Sequence, residues 1–311
     1  MIAFGPVPSR RLGSSLGINN IPPKSCSYNC VYCQVGPTPH LEIERRQFYE
    51  LDEIVNAVEE KVAQVKAAKA RIDYLTFVPD GEPALDIHLG ETIERLKHLG
   101  IRIAIITNAS LLWREDVRAE TAMADYVSIK MDTADEDTWR RINRPNSQLS
   151  FSEILGGVLA FSKSFRGELV TETMLIKGLN DSEAGLKAIA RTMKTCAPSI
   201  AYLAVPTRPP SSSWVQAPNE ESLNQAFHIF ASQLKKVEYL IGFPPGHFPV
   251  TGHTVQSLLD ITAVHPMRET EAQAFLQHGG EQPGRLAELC AQEKLVRIVY
   301  EGQAFYVRKL R

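Results

Sequence analysis

From about residue 50 to residue 240, the chain alternates between segments with helical periodicity and segments typical of strands. Leu51–Lys69 repeats apolar residues at the spacing of one helix face, with Asp52 as its candidate N-cap. The next segment, Ile72–Val78, is rich in β-branched and aromatic residues and predicts a strand. Further helices are predicted at 89–98 (ended by Gly100), 114–123, 152–164, 182–194 and 220–236, and further strands at 101–107, 126–131, 168–176 and 200–205.

A short strand at Ser15–Asn19 brings the count to six β-then-α units. Strands that alternate with helices imply a parallel sheet with right-handed crossovers. The nearly continuous apolar runs indicate strands that are covered on both faces. Because six units are too few for a closed eight-fold barrel, we predict an α/β fold with a partial (β/α)6 parallel barrel over residues 1–245, which binds ligands at the carboxyl ends of its strands.

Residues 246–311 predict a small second domain. The Pro/Gly-rich stretch Gly242–Pro249 is either a linker or an ordered loop. Helices at 255–264, 269–278 and 284–293 precede strands at 295–300 and 304–307, which flank a tight turn at Glu301-Gly302. This order predicts a winged-helix-like domain. Residues 250–311 hold seven basic and seven acidic residues, so docking of a protein or peptide, or packing against the barrel, competes with nucleic-acid binding as its role.

Charge and hydropathy narrow the class of protein. The net charge is −2, so no broad nucleic-acid-binding surface is expected. The amino terminus lacks a basic region followed by an apolar run, and no stretch of about 18 apolar residues occurs. We therefore expect a cytoplasmic protein with no membrane contact. Disulfides are not expected among its five cysteines, and the isolated Cys196 and Cys290 are expected to act as small buried hydrophobes.

The other three cysteines, Cys26, Cys30 and Cys33, follow the first strand with C-x₃-C-x₂-C spacing. Thiolates are the natural ligands of iron–sulfur clusters. Three ligands from one short loop hold three irons of a [4Fe–4S] cluster and leave the fourth iron open to a substrate or cofactor, as in a catalytic zinc site. A structural zinc ion is the alternative, with the nearby His40 as its fourth ligand.

The spacing and position of this motif resemble the signature of the radical S-adenosylmethionine (SAM) superfamily, and the resemblance in fold extends over about residues 10 to 240. Tyr32 stands where the family usually has an aromatic residue beside the adenine. Asp80-Gly81-Glu82-Pro83 resembles the glycine-rich segment that hydrogen-bonds the methionyl amino group, although the family form often starts Gly-Gly-Glu. Further candidate cofactor contacts at strand ends are Thr107, Asn108, Lys130, Asp132 and Met174, with Glu172 beside them.

The resemblance implies a [4Fe–4S] cluster and SAM as cofactors and a flavodoxin- or ferredoxin-like one-electron reductant as partner. It implies reductive cleavage of SAM to a 5′-deoxyadenosyl radical, which abstracts hydrogen from an RNA base or a peptide residue. The competing hypothesis is a non-catalytic iron–sulfur or zinc regulator that binds nucleic acid or protein through the winged helix. Structural interpretations of single residues also stay open: Glu82 as a surface carboxylate, Asn108 as a helix cap, and Lys130 with Asp132 as an ion pair.

Within the superfamily, Phe4–Gly13, Ser15–Asn19, Cys30–Gln34 and Val78–Pro83 resemble the wyosine-synthesis (tricyclic tRNA base) enzymes. Known members of that subgroup hold a second cluster with three further cysteines near the amino terminus, which this chain lacks. The resemblance therefore covers the cofactor site and not the pyruvate-condensing reaction.

Three arginines complete the candidate site. Arg10 and Arg11, just before the first strand, are candidates for binding a phosphate or acidic group at the barrel mouth, or else are surface residues. Arg208, after the sixth strand, is a candidate contact for a substrate or cofactor carboxylate.

Overall fold

A curled eight-stranded sheet forms the larger part of the computed structural model, which describes residues 1–242, 248–249 and 253–309. The strands lie side by side in chain order, with β2 to β8 parallel and β1 antiparallel to β2. The strands are β1 Ala3–Ser9, β2 Gly13–Ile18, β3 Tyr74–Phe77, β4 Arg102–Thr107, β5 Tyr126–Lys130, β6 Glu168–Met174, β7 Ile200–Ala204 and β8 Val237–Leu240. The predicted partial parallel barrel is confirmed: β2 to β7 are each followed by a helix, as in the six predicted units, and β8 adds a seventh parallel strand.

The helices of this part cover the outer face of the sheet. They are α1 Leu51–Ala67, α2 Leu89–Leu96, α3 Glu115–Thr121, α4 Glu136–Ile142, α5 Phe151–Ser164, α6 Glu183–Cys196 and α7 Glu220–Ala231. The predicted cap at Asp52 is wrong, since α1 begins at Leu51 and Glu50 precedes it without a side-chain cap. Gly100 ends its helix region as predicted, with φ of 66° after a 3₁₀ turn. The sequence interpretation missed α4, which Asp135 caps by accepting from Thr138 N.

Alternation along the strands decides which side chains face the interior of the barrel. Apolar residues such as Leu16, Leu75 and Ile105 point outward into the main core beneath the helices. Their neighbours on the other face, such as Thr76 and Lys130, line an internal cavity. A smaller apolar cluster on the inner side contains Leu12, Tyr74, Ala104, Tyr126, Val170 and Tyr202.

The carboxyl-terminal part has its own core around Leu258, Phe275 and Leu289. Its elements are α8 Thr254–Val264, β9 Met267–Arg268, α9 Glu269–His278, α10 Arg285–Ala291, β10 Leu295–Tyr300 and β11 Gln303–Arg308. The strands pair in the order β10-β11-β9, so the predicted hairpin gains a third strand that the sequence did not indicate. The winged-helix assignment and the domain boundaries stay predictions. Of the predicted linker Gly242–Pro249, residues 243–247 lie outside the described residues.

This part packs directly on the barrel, as α8 contacts edge strand β1. Gln34, next to the last cysteine of the motif, donates through Nε2 to the Val264 carbonyl at 3.1 Å. Tyr300 donates through its hydroxyl to the Pro206 carbonyl at 3.4 Å. Across the described ranges, no helix has both the length and the apolar character of a membrane span.

Candidate functional site

A cavity of about 410 Å³ opens inside the curled sheet, a volume typical of small-molecule sites. Its wall includes the three clustered cysteines, and it continues inward to Thr76 and Glu172. Of the other predicted site residues, it is lined by Tyr32, Gly81, Lys130, Met174 and Arg208. The carboxyl ends of the parallel strands therefore hold the site, as the fold class predicted.

The loop that carries the cysteines is fixed by the end of α4. Asn29 N donates to the Asn143 carbonyl at 3.0 Å, and Val31 N donates to the Ile142 carbonyl at 2.9 Å. Within the loop, Cys33 N donates to the Cys30 carbonyl at 3.1 Å. The three cysteines are partly exposed as residues, and all three line the same cavity.

Two amide side chains approach the sulfur atoms. Asn108 Nδ2 lies 3.6 Å from Cys26 Sγ, and Asn143 Nδ2 lies 3.4 Å from Cys30 Sγ. Burial raises the pKa of all three thiols, and that of Cys30 to about 12. Because only the thiolate binds a metal, metal binding at these cysteines would release protons. Amide donors to sulfur are among the contacts that set the potential of an iron–sulfur cluster.

Residues 80–83 are tied to the backbone that leads into the cysteine loop. Glu82 N donates to the Ser25 carbonyl at 3.0 Å, and Lys24 N donates to the Asp80 carbonyl at 2.8 Å. A Cβ on Gly81 would lie 1.8 Å from the Ser25 carbonyl oxygen. Only glycine allows this approach, so the Gly-Glu-Pro sequence fits its place against the cysteine loop.

Glu82 is buried, and its carboxylate holds the end of β4 in position. It accepts from Thr107 Oγ1 and Asn108 N, both at 2.7 Å, and from Ala84 N at 3.1 Å. Burial raises the pKa of Glu82 to about 7 against these hydrogen bonds. Asn108 in turn donates to Ser27 Oγ at 2.9 Å. The carboxylate thus reaches the cysteine loop through Asn108, and its interpretation as a surface residue is wrong.

A buried charge cluster lies deeper in the cavity. Glu172 is paired through one carboxylate oxygen with Lys130 and through the other with Arg11. Burial favours the neutral acid, but the two cations outweigh it and lower the pKa of Glu172 to about 2. Arg11 also donates to Ser128 Oγ at 2.9 Å. The Lys130 ammonium stands 5.1 Å from the centre of the Tyr32 ring, within range of a cation–π contact.

Asp132 supports the aromatic wall from behind. It accepts from the Tyr32 hydroxyl, from Asn143 Nδ2 at 2.8 Å and from Met174 N at 2.9 Å. These bonds link the cysteine loop, α4 and β6. Asp132 makes no ion pair with Lys130, so that structural interpretation is wrong: the partner of Lys130 is Glu172 on the next strand.

The family match decides the class of this chain. Residues 20–186 match the model of the radical SAM superfamily, more than half of the 311 residues. The chain belongs to the radical SAM superfamily. The UPF0026 protein MJ1312 from Methanocaldococcus jannaschii is 43% identical over 312 residues, across 100% of this chain and 97% of that relative.

Two solved structures share the fold of this radical SAM chain. The structure of TYW1 with a lysine-pyruvate adduct bound has a TM-score of 0.50 at 12% identity, over 96% of this chain and 81% of that chain. Streptococcus suis SuiB bound to precursor peptide SuiA has a TM-score of 0.52 at 13% identity, over 70% of this chain and 47% of that chain. The likeness in fold to TYW1 agrees with the resemblance to the wyosine-synthesis enzymes.

The chain is accordingly a radical SAM enzyme, and its family implies a [4Fe–4S] cluster, SAM and an external reductant. Not every predicted contact of this radical SAM site reaches the cavity. Glu82, Pro83, Thr107, Asn108 and Asp132 stand behind its wall. Asn108 caps no helix, since its Oδ1 accepts from Ser110 N in the turn before α3. The sequence interpretation missed Asn143, which lies at the end of the unpredicted α4.

Arg10 and Arg11 lie at the edge of the sheet opposite to the one that the sequence predicted. Because β1 runs antiparallel into β2, the turn with Arg10 and Arg11 lies at the amino-terminal end of β2, opposite to the predicted mouth. Both side chains nevertheless line the cavity. Their alternative interpretation as surface residues is therefore wrong for Arg11, which pairs with Glu172 inside the barrel.

The structure also gives the positions of Cys196, Cys290 and His40, the candidate fourth ligand of a zinc ion. Cys196 is buried in the main core, as predicted, whereas Cys290 is only partly buried. His40 is exposed. Within the part of the chain that the structure describes, no three His, Cys, Asp or Glu side chains are grouped to hold a single metal ion. Thiolates on a cluster differ in this respect, because each one binds a different iron.

Proposed function

We propose that Cys26, Cys30 and Cys33 hold a [4Fe–4S] cluster and that the adjoining cavity binds SAM for hydrogen abstraction from a substrate. When held by the three thiolates, a reduced cluster would supply one electron to SAM; the C5′–S bond would break to release methionine, and the 5′-deoxyadenosyl group would take a hydrogen atom from the substrate. One observation carries the proposal: three thiols of a single loop face one cavity at the carboxyl ends of the strands. Soft thiolate donors suit this cluster.

The residues around the cavity have distinct tasks in this proposal. Tyr32 offers a flat ring for the adenine, and its hydroxyl is fixed by Asp132. Lys130 presents a cation beside that ring, and burial of its ammonium is offset by Glu172, which raises the pKa of Lys130. Met174 adds apolar wall. Gly81 brings backbone polar groups to the cavity wall, beside the cysteine loop.

The buried residues behind the wall are proposed to position these groups. Glu82 fixes Thr107 and Asn108, and Asn108 then contacts the sulfur of Cys26. Pro83 begins the short 3₁₀ turn that follows Glu82. Such supporting contacts hold the residues that bind a metal directly in a productive geometry.

Reductive cleavage of SAM tests this proposal. The anaerobically reconstituted protein, given dithionite and SAM, is expected to release 5′-deoxyadenosine, measured by liquid chromatography and mass spectrometry. Cys33→Ala is expected to abolish the release, whereas Cys196→Ala, a buried cysteine away from the cavity, keeps it. Reconstituted protein that binds four irons but releases no 5′-deoxyadenosine would overturn the proposal.

We propose as substrate either an RNA base or a residue of a peptide. A strain that lacks this protein is compared with its parent by mass spectrometry of digested tRNA and of the proteome. Loss of one modified nucleoside assigns the RNA class, and loss of one modified residue assigns the peptide class. If both inventories are unchanged under conditions where the parent expresses the protein, neither class is the substrate.

A further inference from the structure

Lys24 lies two residues before the first cysteine of the motif, in a backbone conformation that residues other than glycine rarely adopt. Its φ of 70° falls in the left-handed region, where the Cβ crowds the neighbouring backbone. The conformation is held by the backbone N–H of Lys24, which donates to the Asp80 carbonyl at 2.8 Å. Unfavourable conformations of this kind persist where the surroundings impose them, and they are concentrated at functional sites.

The ammonium of Lys24 is buried without a hydrogen bond. Its Nζ has no hydrogen-bond partner among the residues that the structure describes. It lies against the turn that follows the cysteines, since a Cβ on Gly36 would be 3.6 Å from Nζ and Gly36 N donates to the Cys33 carbonyl at 3.2 Å. A cation that is withdrawn from water in this way is costly unless an anion lies close to it.

The anions that act on this ammonium belong to the cysteine loop and to Asp80. Burial lowers the pKa of the lysine, whereas the anionic forms of Cys33, Asp80 and Cys26 favour its charged form. Asp80 does not satisfy it, because Asp80 Oδ1 is likewise a buried atom without a hydrogen bond in the described ranges. Lys24 is not among the residues that line the cavity, so its charge acts on the cysteines from behind the cavity wall.

We propose that the Lys24 ammonium raises the reduction potential of a cluster held by the three cysteines of the motif. This inference rests on the proposed function, because it needs that cluster. Three thiolates make the loaded site negative, and each added electron makes it more so. A nearby positive charge therefore stabilises the reduced state more than the oxidised state, and the effect is stronger in the protein interior than in water.

A redox titration of the reconstituted protein, followed by electron paramagnetic resonance, tests this role. Lys24→Met removes the charge and keeps a side chain of similar length. It is expected to make reduction of the cluster roughly tenfold less favourable, which is a potential more negative by about 59 mV for a one-electron couple. Lys24→Arg keeps the charge, so its potential is expected to stay closer to that of wild type than the potential of Lys24→Met does.

Lys69→Met is the matched control. Lys69 also has a left-handed backbone, with φ of 54°, but it is exposed just after α1. The variant removes the same charge from a similar backbone conformation. Because the charge of Lys69 is screened by solvent, its removal is expected to leave the potential of the cluster unchanged.

Equal potentials in wild type and Lys24→Met, in samples with equal iron content, overturn the inference. Equal shifts in Lys24→Met and Lys24→Arg also overturn it, because the shift then comes from packing and not from charge. A lower urea midpoint of the apoprotein in Lys24→Met, together with an unchanged potential, assigns the lysine to folding instead.

The proposed function can fail separately. Wild type that binds four irons but releases no 5′-deoxyadenosine with dithionite and SAM contradicts the proposed function, whereas the potentials of the same samples still decide the role of Lys24. Wild type that forms no cluster overturns both.

Discussion

Gly81→Ala is the sharpest single test of how the site is built. The added Cβ would lie 1.8 Å from the Ser25 carbonyl oxygen, and real Cβ atoms essentially never come closer than 3.0 Å to such an atom. The two segments must therefore separate by about 1.2 Å, the difference between those distances. The obstacle is backbone rather than a flexible side chain, so relaxation is costly.

The expected cost is about 1–3 kcal/mol of unfolding free energy, the range for overpacking in a well-packed interior. The larger effect is local, because Ser25 immediately precedes Cys26 and its carbonyl accepts from Glu82 N. We expect the variant to fold but to retain clearly less iron after reconstitution than wild type. Urea denaturation of the apoprotein and iron content per chain measure the two effects.

Gly156→Ala is the matched control. Gly156 lies within α5, and a Cβ there would meet nothing within 4 Å. Alanine in a helix interior is expected to stabilise the protein by about 0.5–1 kcal/mol without changing iron content. Equal stability and equal iron content in Gly81→Ala and wild type would refute the close approach of the two segments.

Three further predictions concern the polar groups around the cavity. Glu172→Gln leaves Arg11 and Lys130 without their shared carboxylate and should lower the free energy of unfolding by about 3–5 kcal/mol in urea denaturation. Because the pKa of Glu172 is lowered to about 2, this stabilisation is present above the unfolded pKa of about 4.3 and is lost as the pH falls through 2. An unchanged urea midpoint at pH 7 would contradict the stabilising role of the carboxylate. Asn143→Leu removes the amide donor to Cys30 Sγ and should make the reduction potential of the cluster more negative by on the order of 50 mV in a redox titration. A potential equal to that of wild type would rule out the hydrogen bond from Asn143 to the Cys30 sulfur. Burial raises the pKa of Glu82 to about 7, so the folded state favours the protonated acid. The stability of the apoprotein should therefore fall as the pH rises from 4.5 to 7, and this loss should be absent in Glu82→Gln. The same pH dependence of stability in both proteins would show that burial does not raise this pKa.

Local patterns predicted the helices other than α4, and most strands, because each buried face repeats in the sequence. The same patterns missed β1, where Gly5, Pro6 and Pro8 interrupt the strand signal. They also missed β8, since Val237–Leu240 follows directly on a segment that continues helical spacing. Both strands are held by pairing with neighbours, which the local sequence does not report.

The candidate site was predictable only where motifs carry it. The three cysteines and Gly81 belong to motifs that can be recognised in the sequence, and all four residues line the cavity. The pairing of Arg11 with Glu172 joins residues 161 positions apart, so only the curled sheet reveals it. Asn143 follows a helix whose sequence gave no clear signal, and its amide reaches Cys30 through tertiary packing alone.

Electron paramagnetic resonance of the reduced, reconstituted protein tests whether a cluster held by Cys26, Cys30 and Cys33 has one iron open to SAM. Spectra are recorded before and after addition of SAM to samples with known iron content. We expect a cluster signal that changes on addition of SAM, and no such signal in Cys30→Ala. A full cluster signal in wild type that SAM leaves unchanged would show that no iron of the cluster is open to SAM.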